Sequence, residues 1–265
     1  MTFTIATCNV NGVRAAFRKG MGDWLKQLEA DAVLLQEVRA SDQILCDLVP
    51  QGWHVASLPS QIKGRAGVAV LTRSEQGEVV AGLGQDGEEG AHTGRWLEVQ
   101  IEAKGRPLTL VSAYLHSGQV GTEKMGQKYQ HLEWVSARLQ ELAKRELVAV
   151  CGDFNIVHTE RDIKNWKGNH NKTAGVLDEE IAYLDRWFGD SWCDVARQLA
   201  GDQQGPYTWW SQRGKAFDND AGWRIDYQMT TPALAEAAAS FRVERAASYD
   251  ARWSDHAPLI VGYDI

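Results

Sequence analysis

Short apolar runs recur along the chain with little of the apolar-polar alternation that marks a half-solvated strand. Ala32-Val33-Leu34-Leu35 and Leu147-Val148-Ala149-Val150-Cys151 are the clearest. Such runs suit strands covered on both faces. The pattern predicts strands at about 2–8, 32–36, 67–71, 96–101, 108–113, 147–151, 224–229, 241–245 and 258–263, and helices at about 20–29, 122–144 and 178–188. Strands often follow one another with no crossover helix between them. That order predicts an α/β sandwich of mixed sheets with helices outside, rather than a doubly wound parallel sheet. The runs extend from Ile5 to Val261 without a linker-like stretch or a repeat of fixed period, so residues 1–265 are expected to form one domain.

Composition narrows the function. A formal charge of −7 argues against a protein that coats nucleic acid through bulk electrostatics. It leaves room for a nuclease, because carboxylates that hold a cation lower the net charge. Arg14, Arg18, Lys19, Lys63, Arg65, Lys124, Lys128, Lys164, Lys167 and Lys172 are basic groups that could track a phosphate backbone, although each alone reads as a solvated surface residue. The N-terminus lacks the basic start and long apolar stretch of a signal peptide, and nothing later reads as a membrane span, so a cytoplasmic protein is expected. Cys8, Cys46, Cys151 and Cys193 are widely spaced and read as reduced thiols in or near the core. No glycine-rich phosphate loop sits at a strand-to-helix junction, and no Gly-x-Ser-x-Gly elbow supports a serine hydrolase.

Candidate chemistry gathers where apolar runs end. Gln36-Glu37 follows 32–35, Gly152-Asp153-Phe154-Asn155 follows 147–151, and Ser254-Asp255-His256 precedes the last strand. An acid beside a second polar group at a strand end is held rigidly by the scaffold, and together these segments outline a metal-dependent phosphoesterase. Magnesium takes oxygen ligands and keeps several waters, so one or two carboxylates plus substrate phosphate suffice. Glu37 is the leading ligand candidate, with Asn9 and Asn11 as neutral oxygen donors. Asp153 and Asn155 alternate, so both can face one ligand, Asp153 accepting a proton from water and Asn155 orienting it. His256 can donate to a phosphate oxygen if Asp226 holds its ring. Tryptophans near Asp226 read either as packing or as a surface for bases or a sugar.

Asn9-Val10-Asn11-Gly12, Gln36-Glu37, Tyr114, Gly152-Asp153-Phe154-Asn155, Tyr207-Thr208-Trp209-Trp210, Trp223-Arg224-Ile225-Asp226-Tyr227 and Ser254-Asp255-His256 resemble, in order, the exonuclease III family of apurinic/apyrimidinic endonucleases. The Tyr207–Tyr227 segment, with Lys164-Asn165-Trp166-Lys167-Gly168-Asn169, is similar to bacterial DNA-repair members. The resemblance implies a four-layered, deoxyribonuclease I-like α/β sandwich, magnesium with manganese as a substitute, and hydrolysis that leaves a 3′-hydroxyl. The implied substrate is double-stranded DNA with abasic sites or damaged 3′ ends, acted on by a monomer. By position it implies Asn9, Asn11, Glu37, Asp153, Asn155, Asp255 and His256 around the metal, and Tyr114 beside the scissile phosphate. Trp209, Trp223 and Ile225 would form a pocket for a base-free deoxyribose, with Arg14, Asn165 and Asn169 toward DNA. Two departures bear on activity. His116 stands where relatives usually have proline, and His170–Val176 is one residue longer than usual and ends without an aromatic. The alternatives are a relative acting on inositol phosphates or phospholipid headgroups, and a DNA-binding module without catalysis.

Overall fold

The computed structural model describes residues 2–265; Met1 of the expected 1–265 domain lies outside the described residues. Strand β1 (Phe3–Asn9) leads into helix α1 (Val13–Ala16), a π-helical turn (Phe17–Met21) and α2 (Gly22–Gln27), then β2 (Ala32–Gln36) and α3 (Asp42–Leu48). Four strands follow: β3 (His54–Leu58), β4 (Val68–Thr72), β5 (Gln76–Ala81) and β6 (Trp96–Ala103). Next come β7 (Arg106–Tyr114), the long α4 (Glu123–Leu142), β8 (Val148–Asp153), α5 (Trp166–Asn169) and α6 (Asp178–Asp190). The chain closes with β9 (Cys193–Asp194), α7 (Val195–Ala200), β10 (Asp226–Thr230), α8 (Pro232–Glu236), β11 (Ala238–Val243) and β12 (Leu259–Tyr263).

The strands form two six-stranded sheets, ordered β11-β12-β1-β2-β4-β3 and β5-β6-β7-β8-β10-β9. Within them β1 and β2 run parallel, as do β7 and β8, and the other neighbours are antiparallel. Burial explains the apolar runs. Ala32, Leu34, Val68 and Val70 of the first sheet meet Leu110, Ala149 and Cys151 of the second. The alternate residues Val33, Leu35, Ala69 and Leu71 face outward onto Val13, Leu25 and Leu45 of the first helical layer. On the far side Val111, Val148 and Val150 pack against Leu132, Val135 and Leu139 of α4 and Leu184 and Trp187 of α6. Each fully buried Val or Leu contributes about 1.5–3 kcal/mol, so the sandwich has a strong reason to keep both sheet faces covered. This is the expected sandwich of two mixed sheets flanked by helices.

Polar residues stitch the two sheets together across their interface. Gln36 Nε2 donates to Ser112 Oγ across the interface at 3.0 Å. Gln228 Nε2 donates to the Ile5 and Leu259 carbonyls at 2.9 and 3.1 Å, while Tyr263 donates to Gln228 Oε1 at 2.9 Å. Gly152 completes the junction. A Cβ there would lie 1.9 Å from the Ala113 carbonyl oxygen, so only glycine lets β8 approach β7 where the two strands deliver their polar ends.

Several expectations are corrected. The helix expected at 20–29 begins instead at Val13 and is bent at Gly20, whose φ is 109°. Strands β3 and β5 lie at sheet edges, β3 only partly covered and β5 mostly exposed, so they lack the apolar run that marks the inner strands. Strand β11 starts three residues before the expected 241, and Cys46 is exposed rather than near the core.

Candidate active site

Topology brings the polar ends together. Because β1 and β2 are parallel, Asn9 and Glu37 leave the first sheet at the same edge. The second sheet does likewise, with Tyr114 of β7 in register with Asp153 of β8, and Asp153 in turn opposite Asp226 of β10. Strand β12 runs antiparallel to β1, so Asp255 and His256, just before it, arrive at that edge too. Asn11, Glu37, Arg39 and Asn155 all have φ near +50°, an uncommon conformation for residues with a Cβ. Such departures are held only where the surroundings over-determine them, and they cluster here.

Hydrogen bonds join both sheets through Asn9. Its Nδ2 donates to Glu37 Oε1 and to Asp153 Oδ2, each at 2.9 Å. Its Oδ1 accepts from the Asn11 amide at 3.0 Å. Asn9 therefore turns its NH2 group toward the two carboxylates and spaces and aims the acids. Asp153 also accepts from the Asn155 amide at 2.9 Å and from Asn155 Nδ2 at 3.2 Å. Tyr114 donates to Glu37 Oε1 at 2.8 Å, and the other Glu37 oxygen pairs with Arg39. Asn11 Nδ2 and Trp209 Nε1 hold Asp255 at 2.8 and 3.2 Å. His256 Nδ1 meets Asp226 Oδ2 at 2.8 Å, which aims Nε2 at Asp153 Oδ2, 3.8 Å away. The Thr208 hydroxyl fixes Asp226 from behind by accepting its amide at 3.1 Å.

Burial and charge divide the roles. Burial pushes the Asp153 carboxyl up, with nearby Asp226 and Glu37 adding to the rise, and the His256 ring only partly offsets it, leaving a pKa of about 7. For His256 burial pulls the ring down, but Asp226 and Asp153 outweigh it and hold the pKa up to about 10. Asp255 is likewise pushed up by burial, yet His256, Asn11 and Trp209 hold it below the ordinary carboxylate range. Neighbouring groups with opposed shifts are the pattern of an acid–base site.

The cleft above these groups encloses about 710 Å³. Asn11, Glu37, Tyr114, Asp153, Asn155, Asp255 and His256 reach it, with Trp209, Trp223 and Ile225 forming an apolar wall and Arg39, Arg65 and Lys172 at its margin. Trp209 packs edge-to-face on Trp223 with centroids 5.5 Å apart. The adjacent Trp210 is instead buried against Phe217. Arg14 lines a groove beside the cleft that shares Asn11 and Arg39 with it. Asn165 and Asn169 stand apart: Asn165 caps α5, Asn169 Nδ2 donates to the Asn165 carbonyl at 2.7 Å, and Thr173 donates to Asn169 Oδ1 at 3.0 Å. Their side chains shape the loop that carries Lys172, Thr173 and Ala174 to the cleft. His116 does not reach the cleft; it is buried and shares a 3.1 Å hydrogen bond with His92.

Sequence reasoning missed the support beneath the wall. Arg224 is fully buried and donates to Asp162 at 2.6 Å and to Asp194 at 2.7 and 3.1 Å, locking the segment that presents Trp223 and Ile225 just before β10, which begins at Asp226 rather than at the expected 224. Only the Trp-Arg-Ile-Asp-Tyr string hinted at it, and its acids come from distant segments. Lys128, read as a surface cation, is buried as well.

The donor set fits a hard divalent cation. Glu37, Asp153 and Asp255 present oxygens to one cleft, while among the described residues no three His, Cys, Asp or Glu side chains close into a metal cage. An open, oxygen-only site suits magnesium, which retains water and takes ligands from substrate phosphate.

Residues 6–256 match the Endonuclease/Exonuclease/phosphatase family. The chain is 34% identical over 253 residues to the exodeoxyribonuclease of Bacillus subtilis (strain 168), covering 95% of each chain. It is 31% identical to DNA repair nuclease APEX1 of Danio rerio, over 96% of this chain and 80% of that one. An AP endonuclease from Archaeoglobus fulgidus superposes with a TM-score of 0.83 at 25% identity, covering 99% of this chain and 100% of that one. A 3′-5′ exonuclease from Neisseria meningitidis does so with a TM-score of 0.85, also at 25% identity and with coverage of 99% and 100%. With the match spanning nearly its whole length, the chain belongs to the Endonuclease/Exonuclease/phosphatase family.

Proposed function

We propose that this protein is a DNA repair nuclease that hydrolyses the phosphodiester 5′ to an abasic site and trims damaged 3′ ends, leaving a 3′-hydroxyl. The observation that carries the reading is Asp153 held between Asn9, Asn155 and His256 on the floor of a cleft walled by Trp209, Trp223 and Ile225. Asp153 takes the proton of the attacking water, whose oxygen bonds to phosphorus as the bond to the 3′ oxygen breaks. Asn155 keeps the Asp153 oxygens aimed. His256, charged and braced by Asp226, donates to a phosphate oxygen where negative charge develops, and Tyr114 offers a hydroxyl beside the same phosphate. Glu37 and Asp255, with Asn9 and Asn11 beside them, would hold magnesium, or manganese in its place. When bound, the cation supplies positive charge that polarises the phosphate and stabilises the departing oxygen.

The apolar wall supports the substrate assignment. A base-free deoxyribose can enter against Trp209, Trp223 and Ile225, whereas an intact internal nucleotide must first be unpaired and unstacked, so the cost of extrusion favours the lesion without reading sequence. A heavily charged inositol phosphate gains nothing from that wall. Among the described residues no helix is long and apolar enough to cross a membrane; the reading has a monomer acting on double-stranded DNA in the cytoplasm. Magnesium-dependent cleavage of an abasic-site duplex, alongside inositol phosphate and phospholipid controls, tests it. Turnover of the controls in preference to DNA would overturn it.

A further inference from the structure

One fully buried ion pair has no part in the chemistry described above. Lys128 of α4 and Glu180 of α6 are both fully buried, with Nζ and Oε1 2.5 Å apart. Buried ion pairs are rarely the most stable solution, because apolar residues of similar volume often do as well or better. The remaining partners of this pair point to another use. Lys128 Nζ donates to the Ser117 carbonyl at 3.3 Å and to the Asn155 carbonyl at 2.9 Å. Glu180 Oε2 accepts from the Gly175 amide and, at 3.1 Å, from the Leu177 amide.

Those backbone groups lie on the separate loops that frame the cleft. The loop after β7 brings Ser117, Gly118, Gln119 and Val120 to it, the exit of β8 brings Asn155, and the loop before α6 brings Thr173 and Ala174. The loops also interlock around the pair: a Cβ on Gly118 would lie 3.1 Å from Lys128 Cδ, and one on Gly175 would lie 2.7 Å from the Asn155 carbonyl oxygen. Asn155 is where this support meets the reaction. Its left-handed backbone, at φ 52°, lets its amide and Nδ2 both reach Asp153, and Lys128 holds the carbonyl of that same residue.

We propose that Lys128 and Glu180 are positioning residues: one buried ion pair sets Asn155 against the base Asp153 and fixes the spacing of the 117–120 and 173–174 loops across the cleft. The proposal rests on the nuclease reading for its effect on turnover, and on loop order independently of it.

The test uses Lys128→Met, Glu180→Gln and the double variant in the full chain. Each single variant strands a buried charge and lowers the thermal midpoint. The double variant leaves no charge unpaired, so its midpoint returns close to wild type, but the donors to Ser117 and Asn155 remain absent. At that restored stability, single-turnover cleavage of an abasic duplex stays at least about tenfold slow, while the DNA dissociation constant stays within about threefold of wild type, as misplacement of a catalytic group predicts. The magnesium concentration for half-maximal rate is unchanged, and the amides of 155–157 and 175–177 exchange hydrogen faster. A double variant that is stable and cleaves at the wild-type rate overturns the proposal. If wild type itself cleaves neither DNA substrate, the nuclease reading fails, and amide exchange decides the loop-ordering claim: unchanged protection at 155–157 and 175–177 overturns it, and faster exchange supports it.

Discussion

Asp153 has to be buried enough to be selective and ionised enough to accept a proton. Burial with Asp226 and Glu37 nearby lifts it to about 7, while His256 is held up to about 10 by Asp226 and Asp153 despite its own burial. The base is therefore competent above its own pKa and the donor below its own. Single-turnover rates should rise with pH as Asp153 ionises, at or below about 7, and level off while His256 keeps its proton, up to about 10. A bound cation moves the rising limb to lower pH. Asp153→Asn removes the acceptor at constant size, so turnover should fall about 10²-fold or more with the rising limb lost and DNA binding kept. A variant within a few-fold of wild type, or a wild-type rate that climbs as pH drops from 7 to 5, would rule out Asp153 as the base. Trp223 belongs to recognition instead. Trp223→Ala should slow incision at abasic sites more than removal of an unblocked 3′ nucleotide, because a terminal nucleotide frays into the site at lower extrusion cost. Equal proportional losses, measured side by side under single turnover, would reduce Trp223 to packing.

Between strand β7 and helix α4 lies a pH-sensitive layer. His131 is fully buried with neither ring nitrogen hydrogen-bonded, and its ring centroid lies 5.0 Å from that of His116. Burial, with Arg95 nearby, holds both rings well below the ordinary histidine range, so they are neutral in the fold. The unfolded chain binds these protons near pH 6.5 and the folded one does not, so stability is present above about 6.5 and is lost as pH falls below it. From pH 7 to pH 5 each such ring costs about 2 kcal/mol. His131→Leu should therefore flatten the decline of unfolding free energy between those pH values by about that amount, measured by denaturant titration; an unchanged decline would show that the ring is already charged in the fold. These histidines also mark what a sequence conceals. Inner strands were legible because both faces are apolar, and Glu37, Asp153, Asp226 and His256 were legible because each stands at the end of such a run or within a distinctive string. Edge strands β3 and β5 were not, since none of their residues is fully buried. Nor were Lys128 and Arg224, because a lone basic residue reads as surface until its acid partner arrives from a remote segment.

The whole molecule carries a net charge of −7, so its grip on DNA cannot come from bulk electrostatics. Arg39, Arg65 and Lys172 edge the cleft and Arg14 and Arg18 line the groove beside it, concentrating positive charge around the acids. A cation completes that balance, and Glu37 is its main anchor in this reading. Glu37→Gln keeps the shape and removes the charge, so the magnesium concentration for half-maximal rate should rise on the order of tenfold or more; an unchanged titration would assign the cation to other groups. The central claim is that one edge of the sandwich hydrolyses DNA phosphodiesters at lesions with the help of a divalent cation. The most direct measurement incubates purified protein with an abasic-site duplex and a 3′-blocked duplex, first with magnesium and then with excess chelator. Incision 5′ to the abasic site and release of a free 3′-hydroxyl, both abolished by chelator and restored by added magnesium, is the predicted result. Cleavage of neither duplex with magnesium, or undiminished cleavage in chelator, would contradict it.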